Sequence, residues 1–331
     1  MLLFNIQLLL IFLILYISDN KSIAAGQKLI TVILAFFLLV LGLKGGDYTN
    51  YFESYNGDYR SYTSLLDSFY IIGNYFNLTF DEFVGVVYIF CSAAIYIVFK
   101  RAKTSLLFFT ISYFPLYVLL LQGSFRMGVS IIIALVAISY LRRGAIKTSF
   151  VFQLLSLYMH VGSGSVLFLY FLHKIYVDYS FNIKKYAYIA FILLVLYILY
   201  IISITGYIEK YTTPGLDSAS GAFFRLILHA PMIMFIFFNK KKINIKDLSF
   251  IKFIYFFLSI LIFITIIGYL NSTVLDRVSL VILILISMVL SFNQFSKNYK
   301  NLIWLFIIFL VNIIIMNSWF ILSHNAQAFW L

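Results

Sequence analysis

Two basic clusters, Lys100-Arg101-Lys103 and Arg142-Arg143-Lys147, bracket an apolar stretch broken once, at Gln122-Gly123-Ser124-Phe125-Arg126. Short loops rich in Lys and Arg stay on the cytoplasmic side of a membrane. With both clusters inside, the chain must go out and come back between them, which places Arg126 at the outer face. From Arg126 to Arg142 is 16 residues, about 24 Å of helix against a hydrocarbon core of roughly 30 Å. The spacing therefore sinks Arg126 below the outer surface, where an ionisable residue is costly and signals function. The same pattern repeats at once. Arg142-Arg143-Lys147 and Lys174 with Lys184-Lys185 bracket a second apolar stretch, broken at His160-Val161-Gly162-Ser163-Gly164. Its ascending arm from Lys147 is only about 20 Å long if helical. Arg126 and His160 are thus expected to share one outward-facing depression, where two interrupted helices meet.

No soluble domain is 63% hydrophobic and 11% charged, so these hairpins belong to a polytopic all-α membrane protein. Its mean hydropathy is +1.01. A net charge of +12 could mark a nucleic-acid partner, but its distribution excludes one. Only six of the 24 Lys and Arg fall on the outer side of the topology below: Lys44, Arg60, Arg126, Lys210, Arg225 and Arg277. The other 18 lie inside, whereas nine of the 12 acids lie outside. That is positive-inside bias. The single cysteine, Cys91, reads as a small core hydrophobe, and no Cys/His spacing suits a metal. The first twenty residues lack a basic n-region and an A-x-A site, and read as a retained helix.

In chain order, residues 2–18 form the first span and 29–43 cross outward. The long polar segment 44–82 follows, an extracytoplasmic loop within a single integral membrane domain, 1–331. It carries Asp47, Glu53, Asp58, Asp67, Asp81 and Glu82, with tyrosines at 48, 51, 55, 59, 62, 70 and 75. Tyrosines gather at membrane interfaces; equally, aromatic faces pack on sugar rings while carboxylates accept sugar hydroxyls. Residues 83–99 return inward, the two hairpins follow, and 186–205, 224–238, 250–270, 278–295 and 302–317 complete about twelve helices (range 10–13).

Arg126, Arg225 and Arg277 sit at or just inside the outer ends of helices. Arginine stays charged and forks bidentately onto phosphate oxygens, which suits a lipid-linked diphosphate at that depth. Snorkelling to lipid head groups is the alternative for any one of them. His160 has the intrinsic pKa for acid–base work, although a histidine at a helix break is as often a hydrogen-bonded structural group. His229 follows Arg225 by four residues and shares its helix face.

The succession GGDYTNYF (45–52), then QGSFRMGVSIIIALVAISYLRRGAIKTSFVFQLLSLYMHVGSGSVLFLYFL (122–172), resembles the EpsG-like branch of the O-antigen and exopolysaccharide polymerases (Wzy). FFRLILHAPM (223–232), LDRVSLVILI (275–284) and NAQAFWL (325–331) extend the resemblance over nearly the whole chain. Two departures are Met127, where the family has Gln after the leading Arg, and Gly162, which intrudes between His160 and Ser163. The resemblance implies a glycosyltransferase of GT-C-like architecture, with interrupted helices near the outer face of the bacterial inner membrane. It would polymerise surface polysaccharide, as in lipopolysaccharide O-antigen synthesis, without a cofactor or metal. Undecaprenyl-diphosphate-linked oligosaccharide would be both donor and acceptor, in contact with membrane lipids and a chain-length regulator. Arg126, Arg225 and Arg277 would stabilise the leaving diphosphate, with His160 or Asp47 as base. Tyr48, Tyr51 and His229 complete the candidate substrate-binding set. The alternatives are an O-antigen ligase using the same donor, and a flippase or other transporter. The latter predicts an inverted repeat and midplane charges that the sequence does not display.

Overall fold

The computed structural model describes residues 48–57, 65–121, 125–178, 222–268, 270–295 and 299–322, with a few positions of the first apolar segment. Every regular element among them is a helix: α1 (Tyr48–Asn56), α2 (Leu65–Tyr75), α3 (Phe80–Arg101), α4 (Ser105–Leu121), α5 (Phe125–Leu141), α6 (Ile146–Met159), α7 (Val161–Asp178), α8 (Ala222–Arg225), α9 (His229–Asn239), α10 (Ile245–Ile266), α11 (Ser272–Ser291) and α12 (Tyr299–Leu322). By length and composition, four are able to cross a membrane: α3, α10, α11 and the stretch Lys300–Ser318 of α12. Among the described residues, four helices and not twelve have the length and composition of a full crossing. The expected spans 2–18, 29–43 and 186–205 lie wholly or largely outside the described residues. α6 and α9 are shorter, with 14 and 11 residues, because the extended His160 ends the first and the 3-10 turn Leu226–Leu228 precedes the second.

α11 is the axis of the bundle. Beyond Arg277 its side chains are apolar or small all round, the mark of a helix enclosed on every face, and every residue from Ser279 to Ser291 is buried. Serines let neighbours approach closely: Ser287 of α11 meets Ser112 of α4 in a hydroxyl–hydroxyl contact. α5 is almost as enclosed and packs most extensively on α6. α10 turns phenylalanines 253, 256 and 263 outward, as a lipid-facing helix should.

The end expected to be cytoplasmic is tied by polar groups. Arg142 pairs with Asp247 at 2.7 Å, Asn293 donates to the same carboxylate at 3.0 Å, and the Arg142 guanidinium lies 5.0 Å from the Phe292 ring centre. Arg101 donates to Ser139 Oγ at 2.6 Å, and the backbone N–H groups of Lys103 and Thr104 both reach the Ser291 carbonyl. This knot joins the starts of α4 and α10 to the ends of α3, α5 and α11.

At the opposite end the acidic, tyrosine-rich segment is a packed cap, and part of it supplies core instead of open surface. Tyr55, Tyr70, Phe80 and Phe83 are buried together, the Tyr55 ring centre 5.2–5.5 Å from the other three. Tyr55 donates to the Leu78 carbonyl at 2.7 Å. Gly73 lets α2 settle on this cluster: a Cβ there would come 2.7 Å from the Tyr55 hydroxyl oxygen. Thr79 and Glu82 then form a reciprocal capping box that starts α3.

Candidate functional site

Under that cap, three helices begin side by side, and their first residues build the site. α5 opens with Phe125-Arg126; the Phe125 ring meets Tyr51 edge-on at 5.9 Å and Tyr88 at 5.8 Å. α7 opens after a break of one residue, His160, whose extended backbone (φ −156°, ψ 110°) separates it from α6. The expected break at 160–164 is thus narrower than its Gly and Ser content suggests, since Gly162, Ser163 and Gly164 already lie in the first turn of α7. Gly164 allows the crossing: a Cβ there would stand 2.8 Å from the Cα of Leu157. α11 opens at the Asn271 N-cap, whose side chain accepts from Thr273 N–H at 2.8 Å, and carries Asp276 and Arg277 in its second turn.

The His160 ring is held from one side. Its Nδ1 accepts the backbone N–H of Ser163 at 3.2 Å and lies 3.1 Å from Ser163 Oγ. Ser163 Oγ donates to Ser130 Oγ at 2.9 Å, and Ser130 Oγ donates to the Ser156 carbonyl at 2.8 Å. Three buried serines from α5, α6 and α7 therefore fix the imidazole. The guanidinium groups of Arg126 and Arg277 both lie within electrostatic reach of that ring. The sequence expectation pairs Arg126 with His160; Arg277 also acts electrostatically on that ring.

Arg225 sits differently. Its Nε and Nη2 grip Asp276 Oδ1 and Oδ2 at 2.5 and 2.7 Å, a side-on fork with both side chains nearly closed to solvent, 12% and 10% exposed. Just after Arg225, residues Leu226–Leu228 tighten into a 3-10 turn before α9 resumes. Mid-helix turns of this kind mark strain or a hinge. His229 is buried and places Nε2 3.2 Å from the Ser279 carbonyl of α11, a brace between α9 and α11. In the cap, Tyr48 hydrogen-bonds the Asp81 carboxylate; partial burial and that carboxylate push its hydroxyl up to about 12. Asp47, the loop 206–221 and the tail 323–331 lie outside the described residues.

Residues 27–330 match the model of the EpsG family. The chain belongs to the EpsG family. No curated protein and no solved structure matches it. Membership supports a membrane protein with a glycosyltransferase-like, polysaccharide-polymerase type of role. In this EpsG-family chain, sequence reasoning missed Asp276 as the partner of Arg225, although a carboxylate beside Arg277 in an apolar helix had to find a counter-charge. It also passed over Ser130 and Ser156, which carry no signal in sequence because serine in a membrane helix usually serves close packing. Tyr70, one tyrosine among many, has a buried hydroxyl without a hydrogen-bond partner among the described residues, within the field of Arg126, Tyr51 and Asp67.

Proposed function

We propose that this protein is a polymerase of a surface polysaccharide such as O-antigen, with a GT-C-like bundle at the outer face of the bacterial inner membrane. It joins oligosaccharide repeat units carried on undecaprenyl diphosphate. A hydroxyl of the acceptor unit attacks the anomeric carbon of the donor chain, and the bond from that carbon to the diphosphate breaks. The electron pair departs with the diphosphate, and the hydroxyl proton passes to a base at the mouth. Charge therefore grows on the diphosphate in the transition state, where fixed cations in a dry site act most strongly. Arg126 and Arg277 supply them, Arg225 and Asp276 brace the latter on α11, and Tyr48, Tyr51 and Asp47 receive the acceptor sugars. The reaction needs no cofactor, and a chain-length regulator is the expected protein partner.

One observation supports this reading: Arg126 and Arg277, from separate regions of the chain, both act electrostatically on the ring of His160, which stands at the break between α6 and α7. The test is the purified protein in liposomes with lipid-linked repeat units. A ladder of lengthening lipid-linked glycans is expected. Unextended single units, or transfer only onto a lipid A–core acceptor, would overturn the proposal, the second outcome in favour of a ligase.

A further inference from the structure

The hydrogen bonds around His160 decide which of its nitrogens carries a proton. A backbone N–H can only donate, and Ser163 N–H is aimed at Nδ1 at 3.2 Å. Nδ1 must therefore offer a lone pair, and a proton there would collide with the amide hydrogen. Ser163 Oγ, 3.1 Å away, has its own proton directed to Ser130 Oγ or to Nδ1, and neither choice requires Nδ1 to donate. The imidazole is thus the neutral tautomer protonated on Nε2. Nε2 has no hydrogen-bond partner among the described residues, and it belongs to the ring that Arg126 and Arg277 both influence.

We infer that His160 is the third member of the anion clamp, donating Nε2–H to an oxygen of the lipid-linked diphosphate, and is not the base of the reaction. This rests on the proposed polymerase reading. A base needs a free lone pair toward the acceptor hydroxyl, and the only lone pair on this ring is taken up by the start of α7. A donor needs a proton on Nε2, and the cap hydrogen bond forces that arrangement. The same bond makes His160 the N-cap of α7, since its side chain accepts from the third residue of the helix. Folding and function thus draw on opposite edges of one ring. No bond to hydrogen is made or broken at His160 during the transfer; the proton on Nε2 stays and is shared.

His160→Asn separates the two edges. Asparagine is a good N-cap and keeps an acceptor for Ser163 N–H, but places no donor where Nε2 stood. The measurement is binding of undecaprenyl diphosphate to the detergent-purified full-length protein, beside chain growth in liposomes. Hydrogen bonds to charged groups are strong enough that His160→Asn should weaken binding by roughly ten- to a hundredfold, with chain growth slowed and thermal stability unchanged. Unchanged diphosphate affinity in His160→Asn, whether growth is slow as for a lost base or normal as for a pure cap, overturns the inference. The underlying reading is checked separately with Arg126→Ala and Arg277→Ala. If those two bind undecaprenyl diphosphate like the wild type, the clamp itself is wrong; if they lose it while His160→Asn does not, only the role of His160 fails.

Discussion

Spacing predicts Arg225 and Arg277 on the same side of the membrane, yet the residues around them differ. The Arg225 fork is occupied by the Asp276 carboxylate, so its removal exposes a buried counter-charge. Breaking one partner of such a pair typically costs about 3–5 kcal/mol, whereas removing both can be nearly neutral. Arg225→Ala and Asp276→Ala should each lower the unfolding midpoint in detergent, and the double variant should recover much of the loss; additive losses would contradict the pairing. The role proposed for Arg126 and Arg277 is in the reaction instead. Arg126→Ala and Arg277→Ala should each slow chain growth by about 100- to 1,000-fold with normal accumulation in the membrane. Their lysine variants should stay impaired, because lysine keeps the charge without the planar fork. Lysine snorkels as well as arginine, so near-normal ladders from both would mark these side chains as lipid anchors. The three arginines and His160 stand out in the sequence because charge in an apolar run is conspicuous. Asp276 and the serine relay were not, because their meaning lies in which helices touch.

Among elements, the helix hairpins were the most legible part, since basic clusters punctuate them and set their direction. The polar segment between 44 and 82 was the least. Its tyrosines invite a choice between membrane belt and sugar platform, but the structure divides them, burying Tyr55 and Tyr70 while leaving Tyr75 81% exposed. Alternation of burial in short helices produces no pattern that a sequence window of ten residues can resolve. The α6–α7 crossing makes a sharper element-level statement. A methyl group at Gly164 would meet the Leu157 backbone at 2.8 Å, whereas one at Gly162 would meet only the His160 ring, at 3.2 Å. Gly164→Ala should therefore cost about 1–3 kcal/mol in stability and disturb chain growth through the displaced His160. Gly162→Ala should leave stability near the wild type and affect growth alone. Thermal unfolding of the two purified variants, compared with their ladders, checks this; equal unfolding midpoints would contradict the close crossing.

For the molecule as a whole, the two ends predict a topology. The Tyr75 cap and Ser272 belong with the arginine mouth, and Ile245 belongs with the Arg142–Asp247–Asn293 knot. In a Cys91→Ser background, Tyr75→Cys and Ser272→Cys should react with a membrane-impermeant thiol reagent on intact spheroplasts, and Ile245→Cys only after permeabilisation. Labelling of Ile245→Cys from outside would break the assignment. Chain direction adds a consequence of its own. α5, α7 and α11 all start at the mouth, so the positive ends of three backbone dipoles point there, each equivalent to about half an elementary charge. Together they rival the formal charge of the two guanidinium groups, and no side-chain substitution erases them. A protein stripped of Arg126 and Arg277 should thus still draw anions to its outer end above the level of an uncharged groove. The same helices finish toward the other end with their negative ends, α5 and α11 at the Arg142–Asp247 knot and α7 beside it through Asp178 and Lys246. The backbone itself is therefore polarised along the bundle, drawing phosphate to one end and repelling it from the other.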